Sequence, residues 1–255
     1  MSDSILFIAG NIHQGHQSFS HISRGRQCSF ISFSALLFAR NLAIEQWSAA
    51  TVDQILVKGD RLYRNALRSG SIPDAQVLSL NYLPNVACCL QTNGNYLPST
   101  AHQDDSLICM AESQTCNRYS LIWADKDIES LNWVTNTDLP MVEKKHCQFW
   151  FVKYKEFHQG RIMHYKHAKE APYFGLNSAL LNAFSDSNDA LVILDGYVMA
   201  SIKTTDCIFV FDSHARNCYG MPDPNGTAVF MKGADICSLE EYLCSISVII
   251  STFTC

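Results

Sequence analysis

No two of the eleven cysteines form a C-x-x-C pair, and Cys88 and Cys89 are adjacent, so the spacing of a tetrahedral zinc site is missing. The odd count and the absence of a small secreted disulfide framework point to a reducing compartment. There, ten of the eleven are expected to serve as small buried apolar side chains. Basic charge is also scarce: 19 Lys and Arg stand against 24 Asp and Glu, a net charge of -5. That balance disfavours nucleic acid, which calls for a basic face. Long apolar runs are lacking too. Ile5 to Ala9 has neither the basic start nor the length of a signal peptide, and the run around Val248-Ile249-Ile250 falls far short of the roughly 20 residues that span a bilayer. A soluble, intracellular, cytoplasmic protein with no membrane partner is expected.

What is present is enough apolar chain to fold. At 255 residues and 47% hydrophobic content, one large domain can bury most of a core. Ile5 to Ala9 reads as a strand, followed by a polar loop from Asn11 to Arg26. Cys28 to about Ile44 reads as a helix, apolar nearly all round and hence buried. Thr51 is placed to cap a second helix through Arg68, with Val52, Ile55, Leu56, Leu62, Tyr63, Ala66 and Leu67 on its stripe and Gly70 as a left-handed stop. Between Ser71 and Asp138 the apolar runs are short and broken by Pro84, Gly94 and Pro98. Gln148 to Phe157 reads as a strand and Asn177 to Phe184 as a short helix.

The last third is clearer. Ala190 to Leu194, Val198 to Ile202, Cys207 to Phe211 and Thr227 to Met231 read as four strands. Ser238-Leu239-Glu240-Glu241 reads as a capping box that starts a final helix. Helices gathered early and strands late predict an α+β domain with a mostly antiparallel sheet.

Two short motifs carry the chemistry. Cys28 stands where a loop turns into a helix; the helix terminus, with Arg24 and Arg26 close by, favours a thiolate there. Phe211-Asp212-Ser213-His214 follows a β run; residues i and i+2 of a strand share a face about 7 Å apart, so Asp212 can orient His214, and Ser213 faces away. A thiol, a base and a group to orient the base are the parts of nucleophilic acyl transfer. Gln14, fourteen residues before Cys28, can donate its side-chain amide to an oxyanion if the Asn11 to Arg26 loop folds back over the helix start. Gln27 ranks lower because its side chain diverges from that of its neighbour Cys28. Each motif has a plain counterpart: a structural cysteine, a surface turn, a solvated glutamine. His158-Gln159-Gly160 repeats His13-Gln14-Gly15 with Tyr173 fourteen residues on, so spacing rather than the tripeptide carries the weight. His164 and His167 lack a third ligand, Asp104-Asp105 and Glu240-Glu241 fit solvated faces, and Gly59-Asp60 has no phosphate-loop spacing; no metal or cofactor is expected.

His13-Gln14-Gly15, Phe19, Gly25-Arg26-Gln27-Cys28 and Phe211-Asp212-Ser213-His214 together resemble the herpesvirus large-tegument-protein deubiquitinases and their tegument-like relatives, a family of cysteine peptidases. The resemblance sits at the two ends of the chain and departs from the viral branch at Ser213, where that branch has proline. It implies a papain-like fold, N-terminal helices on a mostly antiparallel sheet, and a thiol hydrolase that releases ubiquitin at its C-terminal glycine. By position, Cys28 would be the nucleophile, His214 the base, Asp212 its orienter and Gln14 the oxyanion donor. Residues 1–255 would form one catalytic domain, with the unmatched stretch around 71–171 the place for a substrate-docking insertion. Ubiquitin or polyubiquitin would be the partner, in host cytoplasm for a viral or effector protein. Acidic walls for the arginines of the ubiquitin tail would come from Asp104, Asp105, Glu112 or Asp125. Two other readings stand beside this one: the same triad acting on another ubiquitin-like or protein substrate, and an inert ubiquitin-binding module.

Overall fold

In the computed structural model the described residues are 7–68, 176–194 and 196–253, with residues 70, 72 and 83 and the backbone of five short strands between 86 and 154. The elements in chain order begin with β1 (Phe7–Ala9), α1 (Cys28–Asn41) and α2 (Ala49–Arg68). The short strands are β2 (Val86–Thr92), β3 (Asn95–Pro98), β4 (Leu121–Ile122), β5 (Cys147–Phe151) and β6 (Lys153–Tyr154). Then come α3 (Leu176–Asp186), β7 (Asp189–Leu194), β8 (Tyr197–Lys203), β9 (Ile208–Arg216), β10 (Thr227–Gly233) and α4 (Ile236–Phe253).

Five strands form the main sheet in the order β1-β10-β9-β8-β7, with every neighbouring pair antiparallel. Two smaller sheets join β3-β2-β5 and β4-β6. The α+β class and the antiparallel sheet expected from the sequence are both present.

Both faces of the main sheet are covered. Phe209, Phe211, Ala228 and Phe230 bury against α1 and α2 on one face; Ile208, Val210, Val229 and Met231 bury among α3 and α4 residues on the other. This explains why β9 and β10 read as continuous apolar runs rather than alternating ones. Ser29 through Phe38 of α1 are all buried, because the helix lies between the sheet and α2. Each fully buried Phe or Leu there contributes about 2 kcal/mol. The helices approach closely at Gly59, where an added Cβ would overlap the backbone of Ile31. Gly59-Asp60 is thus a packing feature, with Asp60 paired to Arg64 at 2.8 Å.

Several local expectations are corrected. The first helix ends at Asn41 rather than near Ile44: the Asn41 amide donates back to the Leu37 carbonyl at 2.6 Å, Leu42 is extended, and Ile44 opens a separate 3-10 turn. Ser48, not Thr51, precedes α2. The Thr51 N–H donates to Ser48 Oγ and the Ser48 N–H to Thr51 Oγ1, so Thr51 is the reciprocal partner three residues on. Asp235 likewise replaces Ser238 as the cap of α4, accepting from the Ser238 N–H at 2.8 Å. Gly70 takes the expected left-handed conformation, φ +70°, and its N–H closes on the Leu67 carbonyl.

The cysteines are less uniform than expected. Cys207 is buried and Cys244 half-buried, but Cys218 and Cys237 are exposed, one beside the tight turn at Asn217–Gly220 and one in the first turn of α4. The other side chains of that expectation (Cys88, Cys89, Cys109, Cys116, Cys147 and Cys255) lie outside the described residues, as do Asp104, Asp105, Glu112, Asp125, His158, His164 and His167.

Candidate active site

Cys28 is the first residue of α1, half-buried, with no acidic side chain in the helix's first turn to oppose a thiolate. The start of the helix docks where the sheet opens. The β8–β9 ladder runs from Lys203–Ile208 to Ala200–Phe211 and stops. Beyond it, the Val198 carbonyl accepts from Ser32 Oγ at 2.9 Å, and the Val198 backbone lies near the Cys28 thiol.

β9 continues past that point through Asp212, Ser213 and His214, so these residues lie on a strand rather than on a turn after it. A bulge sits among them. The pairing with β10 holds Val229 opposite Asp212 but Thr227 opposite Arg216, so β9 carries extra residues between the two pairs. A bulge re-aims side chains and is a common device beside active sites. Here it lets the His214 backbone N–H and Nδ1 both reach Asp212 Oδ1, at 2.9 and 2.6 Å. The ring's other nitrogen is left for Cys28, which lies close enough to His214 for each to shift the other's pKa. Early thiol and late imidazole therefore meet, as the motifs required.

Gln14 completes the constellation. The loop after β1 folds back as expected: Gly25, at φ +75°, donates its N–H to the Gln14 carbonyl at 3.2 Å, and Gln27 Nε2 donates to the same oxygen at 3.0 Å. On its other side the Gln14 N–H donates to the Ser213 carbonyl, and Ser213 Oγ donates to Gln14 Oε1 at 3.2 Å. Gln14 is thus pinned between the chain neighbour of Cys28 and the chain neighbour of His214. Among the described residues no group accepts from its amide nitrogen, which is free to donate. Gln27 is fully buried and committed to holding Gln14.

Electrostatics poise the group. Burial opposes ionisation of the Cys28 thiol, but the neighbouring His214, through its polar contact and its charge, outweighs it and holds the thiol below its ordinary range. Burial also disfavours the imidazolium of His214. The charge and hydrogen bond of Asp212 and the contact with Cys28 overcome this and push its pKa up to about 9. Asp212 is fully buried, which would raise its pKa, yet His214 and Arg216 hold it far below the usual carboxylate range. The shifts of Cys28 and His214 both favour a thiolate–imidazolium pair.

Two contributors were not singled out in the sequence. Arg216 Nε donates to Asp212 Oδ2 at 2.7 Å, with both side chains buried. The Tyr197 ring packs on His214, centroids 4.3 Å apart. The signal for Arg216 was legible: Asp212, His214 and Arg216 alternate along one strand, in a stretch that also has ordinary loop composition.

The model of the herpesvirus tegument protein N-terminal conserved region matches residues 9–120, a span that holds Gln14 and Cys28 but ends before Asp212 and His214. No curated protein matches the chain. Among solved structures, a ubiquitin-specific protease encoded by a murine cytomegalovirus tegument protein, in complex with a ubiquitin-based suicide substrate, aligns with a TM-score of 0.52. Its sequence is 12% identical, and the alignment covers 94% of this chain and 79% of that one. In residues 9–120 the chain is thus similar to the herpesvirus tegument proteins, as its motifs suggested, and its fold is similar to that of a viral ubiquitin-specific protease.

Proposed function

We propose that this chain is a deubiquitinating cysteine protease of papain-like design, hydrolysing the bond after ubiquitin's C-terminal glycine through an acyl-thioester on Cys28. One observation carries the reading. Cys28 at the start of α1 stands against His214, close enough to lower its pKa, and His214 is itself bonded to Asp212 at 2.6 Å. The likeness in fold to a ubiquitin-specific protease supports the choice of substrate.

In this mechanism the Cys28 thiolate attacks the carbonyl of the terminal glycine. The Gln14 Nε2–H and the Cys28 backbone N–H bind the oxyanion, and such donors are typically worth 10²–10³ in rate. His214 gives its proton to the leaving amine, and the thioester forms. Water, deprotonated by His214, then adds to the thioester, and the thiolate departs with the chain regenerated. Residues 1–255 act as one catalytic domain, the stretch around 71–171 contributes to substrate docking, and the working compartment is host cytoplasm or virion. Among the described residues no helix is long and apolar enough to cross a membrane, and no cluster of His, Cys, Asp and Glu suits a metal ion.

The test is labelling with a ubiquitin–propargyl probe, the modified residue mapped by mass spectrometry. Modification at Cys28, lost in Cys28→Ala, is expected. A Cys28→Ala protein that still reacts, or that still cleaves a ubiquitin reporter, overturns the reading. Reaction with a different ubiquitin-like probe alone moves the substrate and keeps the triad.

A further inference from the structure

Arg216 is an unusual residue to find in the interior. It is 2% exposed, and it is the largest of the fully buried side chains. Its backbone is held hard: Thr227 pairs with it across the sheet, Pro222 bridges to it, and an added Cβ on Gly226 would overlap it. A purely structural arginine–carboxylate pair favours two parallel hydrogen bonds. Here only Nε bonds, because Asp212 Oδ1 already accepts twice from His214. Arg216 Nη2 is buried with no partner among the described residues. A buried donor left unpaired calls for an explanation other than stability.

We infer that Arg216 is a positioning residue for the hydrolase proposed above: it fixes the plane of the Asp212 carboxylate and tempers the basicity of His214. The first role follows from geometry. With Oδ2 held by Arg216 at 2.7 Å, the carboxylate cannot rotate, and Oδ1 stays on Nδ1 of the imidazole. The second follows from charge. Asp212 alone would drive His214 far toward the imidazolium; a guanidinium on the other carboxylate oxygen offsets part of that negative charge. An imidazolium that is too stable is a poor acid, and this one must release its proton to the leaving amine.

The groups around His214 come from four elements and a loop. Asp212 and Arg216 share its strand; Cys28 faces it from α1; and His13, beside His16, faces it from the loop after β1. Tyr197 of β8 lies on its ring, with the Arg216 guanidinium 5.7 Å from the same tyrosine's centroid. Tyr242 of α4 faces Asp212 and Arg216 and is held neutral by burial. His13 is kept from charging by burial and by the two other histidines. Arg216 is therefore the cation on the far side of Asp212.

The inference rests on the hydrolase reading but is read out without a substrate, by histidine NMR titration of the full chain. In Arg216→Gln the His214 ring should titrate about one pH unit higher than in the unmodified protein. Arg216→Lys keeps the charge and should restore the titration to within about a third of a unit, while a lysine, lacking the planar fork, restores less of the rate. With a ubiquitin reporter, the basic limb of kcat/KM should move upward with the NMR value. No shift in Arg216→Gln, or a downward one, overturns the tempering role. Should Arg216→Gln not fold, Arg216→Lys decides: a His214 titration displaced by a unit or more despite the retained charge overturns it. If the NMR shift appears but no ubiquitin substrate turns over, the substrate assignment fails and the inference about Arg216 stands.

Discussion

Gln14 and Ser213 hold each other twice. The Gln14 backbone N–H donates to the Ser213 carbonyl at 2.8 Å, and the Ser213 hydroxyl donates to Gln14 Oε1 at 3.2 Å. Ser213 is fully buried, and the Gln14 oxygen is the one acceptor for its hydroxyl among the described residues. Turning the amide over would reverse this bond, with Nε2–H donating to Ser213 Oγ, and leave the buried hydroxyl proton without an acceptor, at a cost of about 1 kcal/mol. The serine therefore selects the amide orientation that leaves Nε2 free to meet an oxyanion.

Ser213→Ala removes this preference. Turnover of a ubiquitin reporter should fall about fivefold to tenfold with KM little changed, as a loss of about 1 kcal/mol of transition-state binding implies. Gln14→Ala should cost about 10²–10³ in kcat. Equal effects of both variants on KM alone would show that the amide serves ground-state binding instead.

The pH dependence follows from the two shifted groups. The Cys28 thiolate exists above a pKa lowered from the ordinary thiol range, and the His214 imidazolium persists up to about 9. kcat/KM should thus be bell-shaped, with its basic limb near pH 9. Asp212→Asn removes the charge that raises His214, so the basic limb should move down toward the ordinary 6.5 as the rate collapses. Iodoacetamide at neutral pH should modify Cys28 well ahead of Cys207, Cys218, Cys237 and Cys244, as peptide mapping can quantify.

The same groups set stability against pH. His214 binds its proton more tightly folded than unfolded; its contribution is full below pH 6.5 and is lost as pH rises through about 9, by roughly 3 kcal/mol at most. Asp212 has the opposite sign: its contribution is present above the ordinary 3.8 and is lost in acid. Cys28 counters His214 over the same range: its pKa is lowered in the fold, so it adds stability as pH rises toward the ordinary thiol value. Urea midpoints should therefore rise out of acid and change little between about pH 6.5 and 9. A marked decline across that range would show that Cys28 and His214 do not exchange a proton on folding.

Gly59→Ala is expected to destabilise by about 2 kcal/mol or more, since the new methyl would also stand 2.8 Å from the Ile31 backbone nitrogen and neither helix can withdraw from a packed core. Thermal melts should show Tm lower by several degrees. Ser48→Ala removes a helix cap and should cost about 1 kcal/mol, whereas the same change under the original assignment of the cap to Thr51 would be silent.

Much of the architecture was legible from side-chain pattern alone. The strands from Ala190 to Met231 and the stripe of α2 announce themselves because burial acts residue by residue, and a period of two or 3.6 records which face is buried. The grouping of Cys28, Asp212 and His214 as a candidate site was legible because a thiol and an Asp-x-His pair are few in kind. The caps went to the wrong residues for a local reason. Ser48 and Thr51, like Asp235 and Ser238, each carry a hydroxyl or carboxylate able to cap, and only the backbone conformation selects between them.

Amino-acid order by itself determined the first two helices and the strands of the last third, and it placed a thiol at a helix start and an imidazole two residues beyond a carboxylate. Folding alone decided that the β8–β9 ladder stops at Ala200–Phe211, that β9 bulges beside Ser213, and that Gln14, Gln27 and Arg216 close around the pair. The reason is one of range. Periodicity and propensity act over a few residues, whereas the hydrogen bonds that aim this site join residues up to 199 positions apart and exist only once the sheet's register is set.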